Sequence, residues 1–256
     1  MKKVSLQMYS IRELMAKDVA STLMETAKAG YTGVEFAGFF DHTAEEIKSY
    51  LDAAGLVCSG THTGLPALQP DTIGETIEYH HKIGASNLVV PGIPGEMYGS
   101  YDAACKTGAL LNDIGAQLKA EGITLGYHNH HREFQVFNGQ YALDLMYGNA
   151  DPENLKVELD CYWAHVAGID VVEYVRKYGK RNFLLHMKDR KPNDADKIAQ
   201  GIYECTEVGS GVVDFKSVIA LAKEFGTQWY VVEQESFDMP MLESIAKSAK
   251  WLNENT

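Results

Sequence analysis

Residues 123–134 read ITLGYHNHHREF. A short apolar run stops at three histidines, an arginine and a glutamate. Read as a strand over Thr124–Asn129, its side chains alternate between two faces. His128 and His130 then share one face, with small Gly126 behind them. Metal-capable groups gathered at the C-terminal end of an apolar strand are how an α/β barrel builds an active site. Three later segments end the same way, in Glu158/Asp160, His186/Lys188 and Glu233/Glu235. Each pair is spaced i, i+2, so each pair shares a face of its strand.

Outward from this stretch, one unit recurs. Glycine follows one predicted helix after another, at Gly30, Gly55, Gly84, Gly122, Gly179 and Gly226. A glycine just past a helix end adopts the left-handed cap conformation cheaply. Each is followed within a few residues by a β-rich run: GVEF, LVCSGT, NLVV, ITLGY, FLLHMK and WYVVEQ. Helix, glycine and strand in repetition predict a parallel sheet with crossover helices. Eight strands are expected, over Val4–Tyr9, Gly33–Phe36, Leu56–Thr61, Asn87–Val90, Thr124–Asn129, Lys156–Asp160, Phe183–Lys188 and Trp229–Glu233. Thr43 and Glu46 have capping-box spacing, and Ile47, Tyr50, Leu51 and Ala54 then fall on one helix face. The next helix starts at Asp71 or Thr72 and carries His80 and His81, read as solvated or packing residues.

Eight βα units fit a closed (β/α)8 TIM barrel better than an open doubly wound sheet, in one domain over residues 1–256. No GxGxxG follows the first strand and no GxxxxGK[ST] occurs, which removes the simplest nucleotide-binding readings. The long irregular segments Pro91–Tyr101 and Arg190–Gly211, and the turn after the fifth strand, all follow strands. All are therefore expected on the catalytic face.

The composition is that of a globular protein of 256 residues, 45% hydrophobic and 23% charged. A formal charge of -12 disfavours a generic grip on nucleic acid or an anionic membrane, because phosphate binding needs a basic field. The opening MKKVSLQMYS has no apolar run of signal-peptide length. No stretch reaches the roughly 20 apolar residues of a membrane span. The expectation is a soluble cytoplasmic protein. Its four scattered cysteines read as reduced, mostly buried thiols.

The chemistry follows from the strand ends. Unpaired carboxylates inside a barrel are costly. A divalent cation held by imidazole and carboxylate ligands removes that cost. One inward ligand from each of four consecutive strands suits a barrel mouth. His62 and Glu35 also end strands and are equally readable as hydrogen-bonded structural residues. His165 is expected on a loop, and Lys188 and Asp189 are also readable as no more than a solvated pair.

The motifs GVEFAGFFDHTAEEIKSYLDAAGL, YHNHHREF, ELDCYW, HMKDR, EVGSGVVDF and VVEQESFDMPMLESI, in this order, resemble the xylose isomerase-like TIM barrels. That group comprises sugar and sugar-phosphate isomerases and epimerases, inosose dehydratases and related metal enzymes. The resemblance implies one divalent metal, commonly Mn2+, with Zn2+, Co2+, Fe2+ or Mg2+ as alternatives. It implies Asp160, His186 and Glu233 as ligands. The strand-5 ligand of the family is usually a glutamate that doubles as a base. Here His128 stands at that position, with His130 as the alternative, so a symmetric two-glutamate epimerisation is not supplied. Trp163 stands where family epimerases tend to have histidine, as in the dehydratase-like members.

The leading expectation is a sugar or sugar-phosphate isomerase/epimerase working through a metal-stabilised enediolate. Glu233 would be ligand and base, His128 or His130 would move a proton opposite, and Lys188 would steady negative charge. Glu35, His62, Trp163, Arg132 and Arg190 would bind substrate, the two arginines a phosphate if there is one. The alternative is a dehydratase or lyase acting on a keto-polyol or 3-keto sugar. An abasic-site endonuclease, found among proteins with this barrel, is disfavoured by the acidic balance. The expected partner is a small sugar, with neither nucleic acid nor membrane; a homo-oligomer is compatible with the sequence.

Overall fold

The computed structural model describes residues 3–192 and 195–256. Among them, eight parallel strands close into a barrel. They are β1 Val4–Gln7, β2 Gly33–Phe36, β3 Val57–His62, β4 Asn87–Val90, β5 Thr124–His128, β6 Lys156–Asp160, β7 Asn182–Met187 and β8 Trp229–Val232. Each strand is followed by a helix against the outer wall. These are α1 Val19–Lys28, α2 Ala44–Ala54, α3 Ile73–Ile83, α4 Tyr101–Ala120, α5 Ala142–Gly148, α6 Val171–Tyr178, α7 Phe215–Phe225 and α8 Met241–Asn255. β1 pairs with β8, which closes the cylinder.

The expected strand ends move by one or two residues, for local reasons. β1 stops at Gln7 and not Tyr9, because the Gln7 side chain accepts the Tyr9 N–H and opens a one-turn 3-10 helix, Met8–Ile11. β5 stops at His128, because the Asn129 side chain leaves the ladder to bond the Asp160 backbone in both directions. The expected capping box forms, with Thr43 Oγ1 accepting the Glu46 N–H and the Glu46 carboxylate accepting the Thr43 N–H. Gly55, Gly84 and Gly226 close α2, α3 and α7 in the left-handed conformation.

Outward-facing strand residues such as Leu6, Val34, Tyr127 and Leu185 pack under the helices in one continuous core. Inside the barrel, large rings at the N-terminal end are admitted by missing side chains opposite. A Cβ on Gly126 would lie 2.5 Å from the Phe183 ring, and one on Gly33 would lie 2.9 Å from that of Trp229. With Val89 and Leu184 these rings form a separate apolar plug. The mouth end, above the plug, is polar.

Two register shifts occur in the barrel, at Val34/Glu35 between β2 and β3 and at Val157/Glu158 between β6 and β7. A bulge re-aims the side chains next to it. Both shifts sit beside a fully buried glutamate, Glu35 or Glu158.

His80 shows what the outer wall asks of a polar residue. It is buried, with Nδ1 on the Thr76 carbonyl and Nε2 2.6 Å from Thr61 Oγ1. Burial pushes its pKa below the ordinary histidine value, so the folded chain takes up this proton later than the unfolded chain does. Protons then favour the unfolded state as pH falls through about 6.5. His80→Gln removes this component. The urea midpoint of the parent, minus that of the variant, should shrink between pH 7.5 and pH 5; a pH-independent difference would contradict it. His81, by contrast, is exposed, with its Nε2 2.9 Å from the Glu121 carbonyl.

Candidate metal site and its two cavities

The inward residues at the mouth form two layers. The deeper one joins Gln7, Glu35, His62 and Glu158. Gln7 Nε2 donates to Glu35 Oε2 at 2.7 Å, and His62 Nε2 lies 2.9 Å from Glu158 Oε2 and 3.2 Å from Glu35 Oε2. The upper layer joins His128, Asp160, His186 and Glu233, one residue within a position of the end of each of four adjacent strands. One donor atom from each of these four comes within 4.8 Å of the others. A second grouping, of His62, His128, Glu158 and His186, meets the same distance test.

The hydrogen bonds distinguish the two. His186 Nε2 is 2.7 Å from Glu35 Oε2, while its Nδ1 faces Glu233 at 3.2 Å and Asp160 at 3.9 Å. His128 Nδ1 is 3.2 Å from Glu158 Oε2, while its Nε2 faces Asp160 at 3.9 Å. Each imidazole therefore has one nitrogen on a deep carboxylate and the other aimed at Asp160. A carboxylate behind a metal-binding histidine fixes its tautomer and orientation. The upper four are the better donor set, and Glu35 and Glu158 are their supports.

Asp160 supplies the test of fit. Its Oδ1 accepts the Trp163 N–H at 2.7 Å and caps the short helix Cys161–Val166. Its Oδ2 is buried with no hydrogen-bond partner. A buried carboxylate oxygen left bare costs free energy unless something positive meets it. Ligands about 2.1 Å from one ion lie no more than about 4.2 Å apart, and both 3.9 Å separations fall inside that limit. The residues fit a divalent cation.

Charge points the same way. Burial and the neighbouring Glu233 push Asp160 up to about 7, and burial with the Glu35 charge pushes Glu158 up to about 7. Burial opposes the charge on Glu35 too, yet His62 and His186 hold it near 2. Glu233 is held well below the carboxylate range against its burial, chiefly by the Lys188 ammonium. With protein groups alone, the site is short of positive charge.

Lys188 is not part of a solvated pair. It is buried beneath the rim, 3.5 Å from Glu233 and in close contact with Glu235, with its ammonium 4.9 Å from the Trp163 ring centre. Those carboxylates keep it cationic despite burial. Asp189 is also buried, and there it ties a loop. Its oxygens accept the N–H groups of Arg190, Gly209, Gly211 and Val213.

Above the donor set lies a cavity of about 430 Å³ with His62, His128, His130, Trp163, Glu233 and Glu235 in its walls. Across His130 and Trp163 lies a second, of about 570 Å³, which includes Tyr98, Arg132 and Tyr203. His130 caps the short turn His131–Phe134, its ring beside His128 at 5.2 Å. It stands outside the donor set, so His128 is the strand-5 member of the cluster. Burial lowers its pKa to about 4, leaving a neutral imidazole at pH 7.

Two expected substrate contacts, Glu35 and Arg190, lie off both cavities. Glu35 lies below the cavity floor at 0% exposure and lines neither cavity. Arg190 sits in a short ribbon paired with Cys205, also off both walls. Arg132 lines only the second cavity. His165 falls on the short helix Cys161–Val166 and not on a loop, and it too is off both walls. Asn129 and Tyr203 were not expected at the site. Asn129 had no signal beyond its place between two histidines; Tyr203 comes from the irregular segment after β7.

A closed eight-stranded barrel with a buried His/Asp/Glu cluster at its C-terminal mouth defines a class, and comparison with known proteins agrees. Residues 23–255 match the model of the xylose isomerase-like TIM barrel, and the chain belongs to that family. It is similar to an inosose dehydratase of Clostridium perfringens (strain 13 / Type A), 24% identical over 91% of this chain and 89% of the relative. A sugar phosphate isomerase/epimerase of Parabacteroides distasonis is 30% identical, with a TM-score of 0.80 over 98% of this chain and 93% of that one. A second structure of the same description and organism has 25% identity and a TM-score of 0.83, covering 99% and 98%. Among the described residues, no helix is long and apolar enough to cross a membrane, and the four cysteines are free.

Proposed function

We propose that this protein is a metal-dependent enzyme that removes the proton next to the carbonyl of a keto sugar or keto-polyol, and that the carbanion so formed expels a β-oxygen. The observation carrying the metal is the bare Oδ2 of Asp160 among three further donors. His128, Asp160, His186 and Glu233 would hold the ion; two imidazoles and two carboxylates suit manganese, iron, cobalt or zinc, and the family habit favours Mn2+. When bound, the ion supplies a Lewis acid that polarises the carbonyl and favours ionisation of the adjacent C–H.

The chain's own groups divide the rest. His128 has one nitrogen on Glu158 and the other toward Asp160, so it has none left for the substrate. His130, neutral and on the cavity wall, is the base. Lys188, a fixed cation behind Glu233, offsets negative charge developing over the floor. Trp163 presents an apolar face to the ring and shields the site from water.

Elimination is supported by the asymmetry of these groups. Epimerisation by proton exchange needs matched bases on opposite faces of the carbon, and the fifth strand presents no carboxylate. Isomerisation is the second reading. It shares the first step, needs only His130 to return the proton, and is favoured by the similarity to the isomerase/epimerase structures.

The test is exchange of the substrate α-proton with deuterated solvent, with and without chelator. Exchange should vanish on metal removal and in Glu233→Gln. His130→Gln should keep its metal and lose about 100-fold or more of the exchange rate. Exchange that survives both chelation and Glu233→Gln would refute the proposal. An unsaturated product separates elimination from isomerisation.

A further inference from the structure

The two cavities share His130 and Trp163 in their walls. Either has the volume of a small-ligand site, and together they reach the upper end of the roughly 300–1,000 Å³ that such sites occupy. One keto sugar over the metal donors accounts for the first only. The second belongs to no donor cluster, and its character differs. Trp163 and Tyr203 meet edge to face at 5.0 Å between ring centres, and His131 packs at 5.1 Å from each. Ile93 and Pro94 continue the wall. Within this aromatic corner, Tyr203 Oη lies 3.3 Å from His131 Nε2, while His131 Nδ1 is buried without a hydrogen-bond partner. Arg132 brings a guanidinium that makes no ion pair among the described residues. Aromatic faces with a few polar groups are suited to a second ring carrying hydroxyls.

We infer that the second cavity seats the leaving group, so that the substrate is a keto-glycoside: a keto sugar joined through oxygen to a second ring. This rests on the elimination reading above. His130 stands at the junction, where the carbon acid and the departing oxygen would meet. In the step, the α C–H bond breaks and its proton passes to the imidazole. The electron pair forms a carbon–carbon double bond, and the β C–O bond breaks. The departing oxygen takes that pair and receives the proton. The products are an unsaturated keto sugar and a free alcohol or phenol, and no oxidant, reductant or water is consumed.

The experiment uses the metal-loaded protein with two probes, 4-nitrophenyl 3-keto-glucoside and free 3-keto-glucose. Nitrophenol release is followed by absorbance and α-proton exchange by NMR. Tyr203 and Ile93 line only the second cavity, so Tyr203→Ala and Ile93→Trp act there first, and Tyr203 is half-exposed, so its truncation leaves the barrel folded even if the tryptophan does not fit. The expected result is nitrophenol release by the parent, with kcat/KM for the glycoside falling about tenfold or more in the variants. Their exchange on the free keto sugar should stay within about twofold of the parent. Equal effects on both probes, or on neither, would overturn the assignment. Exchange on the free sugar without nitrophenol release would overturn it and leave metal-dependent proton removal standing. No exchange and no release would overturn both.

Discussion

Asp160→Asn is expected to abolish tight metal binding while leaving the barrel folded. The reason is the division of labour between the two oxygens. Oδ1 caps the Cys161–Val166 helix through the Trp163 N–H, and an asparagine Oδ1 does that equally well. Oδ2, bare and buried, is the oxygen replaced by an amide that cannot ligate in the same way. Loss of a supporting group behind a ligand typically costs 10–100-fold in metal affinity, so loss of a ligand should exceed about 100-fold. The metal-free variant should even be the more stable at pH 8. Burial and Glu233 raise the Asp160 pKa to about 7, well above its unfolded value. Ionisation of this group therefore works against folding as pH rises through the range between those two values. Asparagine carries no such charge. Added Mn2+ should raise the unfolding temperature of the parent and not that of the variant. Titration calorimetry and melting with chelator at pH 8 check both halves. Undiminished stoichiometric binding by the variant would remove Asp160 from the donor set. Asp160→Ala is the contrasting case, because it loses ligand and cap together and should unfold about 1 kcal/mol more easily than asparagine.

The strands were legible because barrel strands are near-continuous apolar runs between glycine-capped helices. β2, β4 and β6 match the expected bounds, and the others shift by one or two residues, β1 and β5 where the side chains of Gln7 and Asn129 compete with the ladder. The upper donor set was legible for a related reason. Two-residue periodicity puts Glu158 with Asp160 and His186 with Lys188, and a polar residue facing a barrel interior has few explanations. What the sequence hides is depth along the barrel axis. Glu35, His62 and Glu158 have the parity of the donors but sit one layer lower, and register shifts lie beside Glu35 and Glu158. No local pattern announces a bulge. Nor does spacing reveal which of His128 and His130 is the donor; that is decided where the strand ends. Tyr203 was hidden because a wall residue contributed by an irregular segment has no periodicity to read.

Gly115→Ala should destabilise the protein severely, against the direction that helix propensity predicts. Replacing a glycine in the middle of a helix by alanine ordinarily gains about 1 kcal/mol. Gly108 and Gly115 lie two turns apart on one face of α4, and that face rests on α5 and the chain after it. A Cβ on Gly115 would lie 1.9 Å from the Asn154 carbonyl oxygen, and one on Gly108 would lie 2.2 Å from that of Met146. These obstacles are backbone, so no rotamer change relieves them. Asn112, between the two glycines, ties the same surfaces together by accepting from the Asp151 N–H and the Asn154 amide, each at 3.0 Å. To admit the methyl group, α4 must move away by more than an ångström, loosening both hydrogen bonds and the packing of Leu111 and Leu118, which are fully buried. Overpacking of this kind costs about 1–3 kcal/mol, occasionally more, and the loosened hydrogen bonds add about 1 kcal/mol each. The steric cost therefore exceeds the propensity gain, and the net loss should be about 3 kcal/mol. Gly148→Ala is the control, since a Cβ there meets nothing within 4 Å and stability should hold or rise slightly. Urea unfolding of the three proteins at one pH decides it. A midpoint for Gly115→Ala at or above the parent's would mean that the helix interface yields far more easily than its backbone contacts imply.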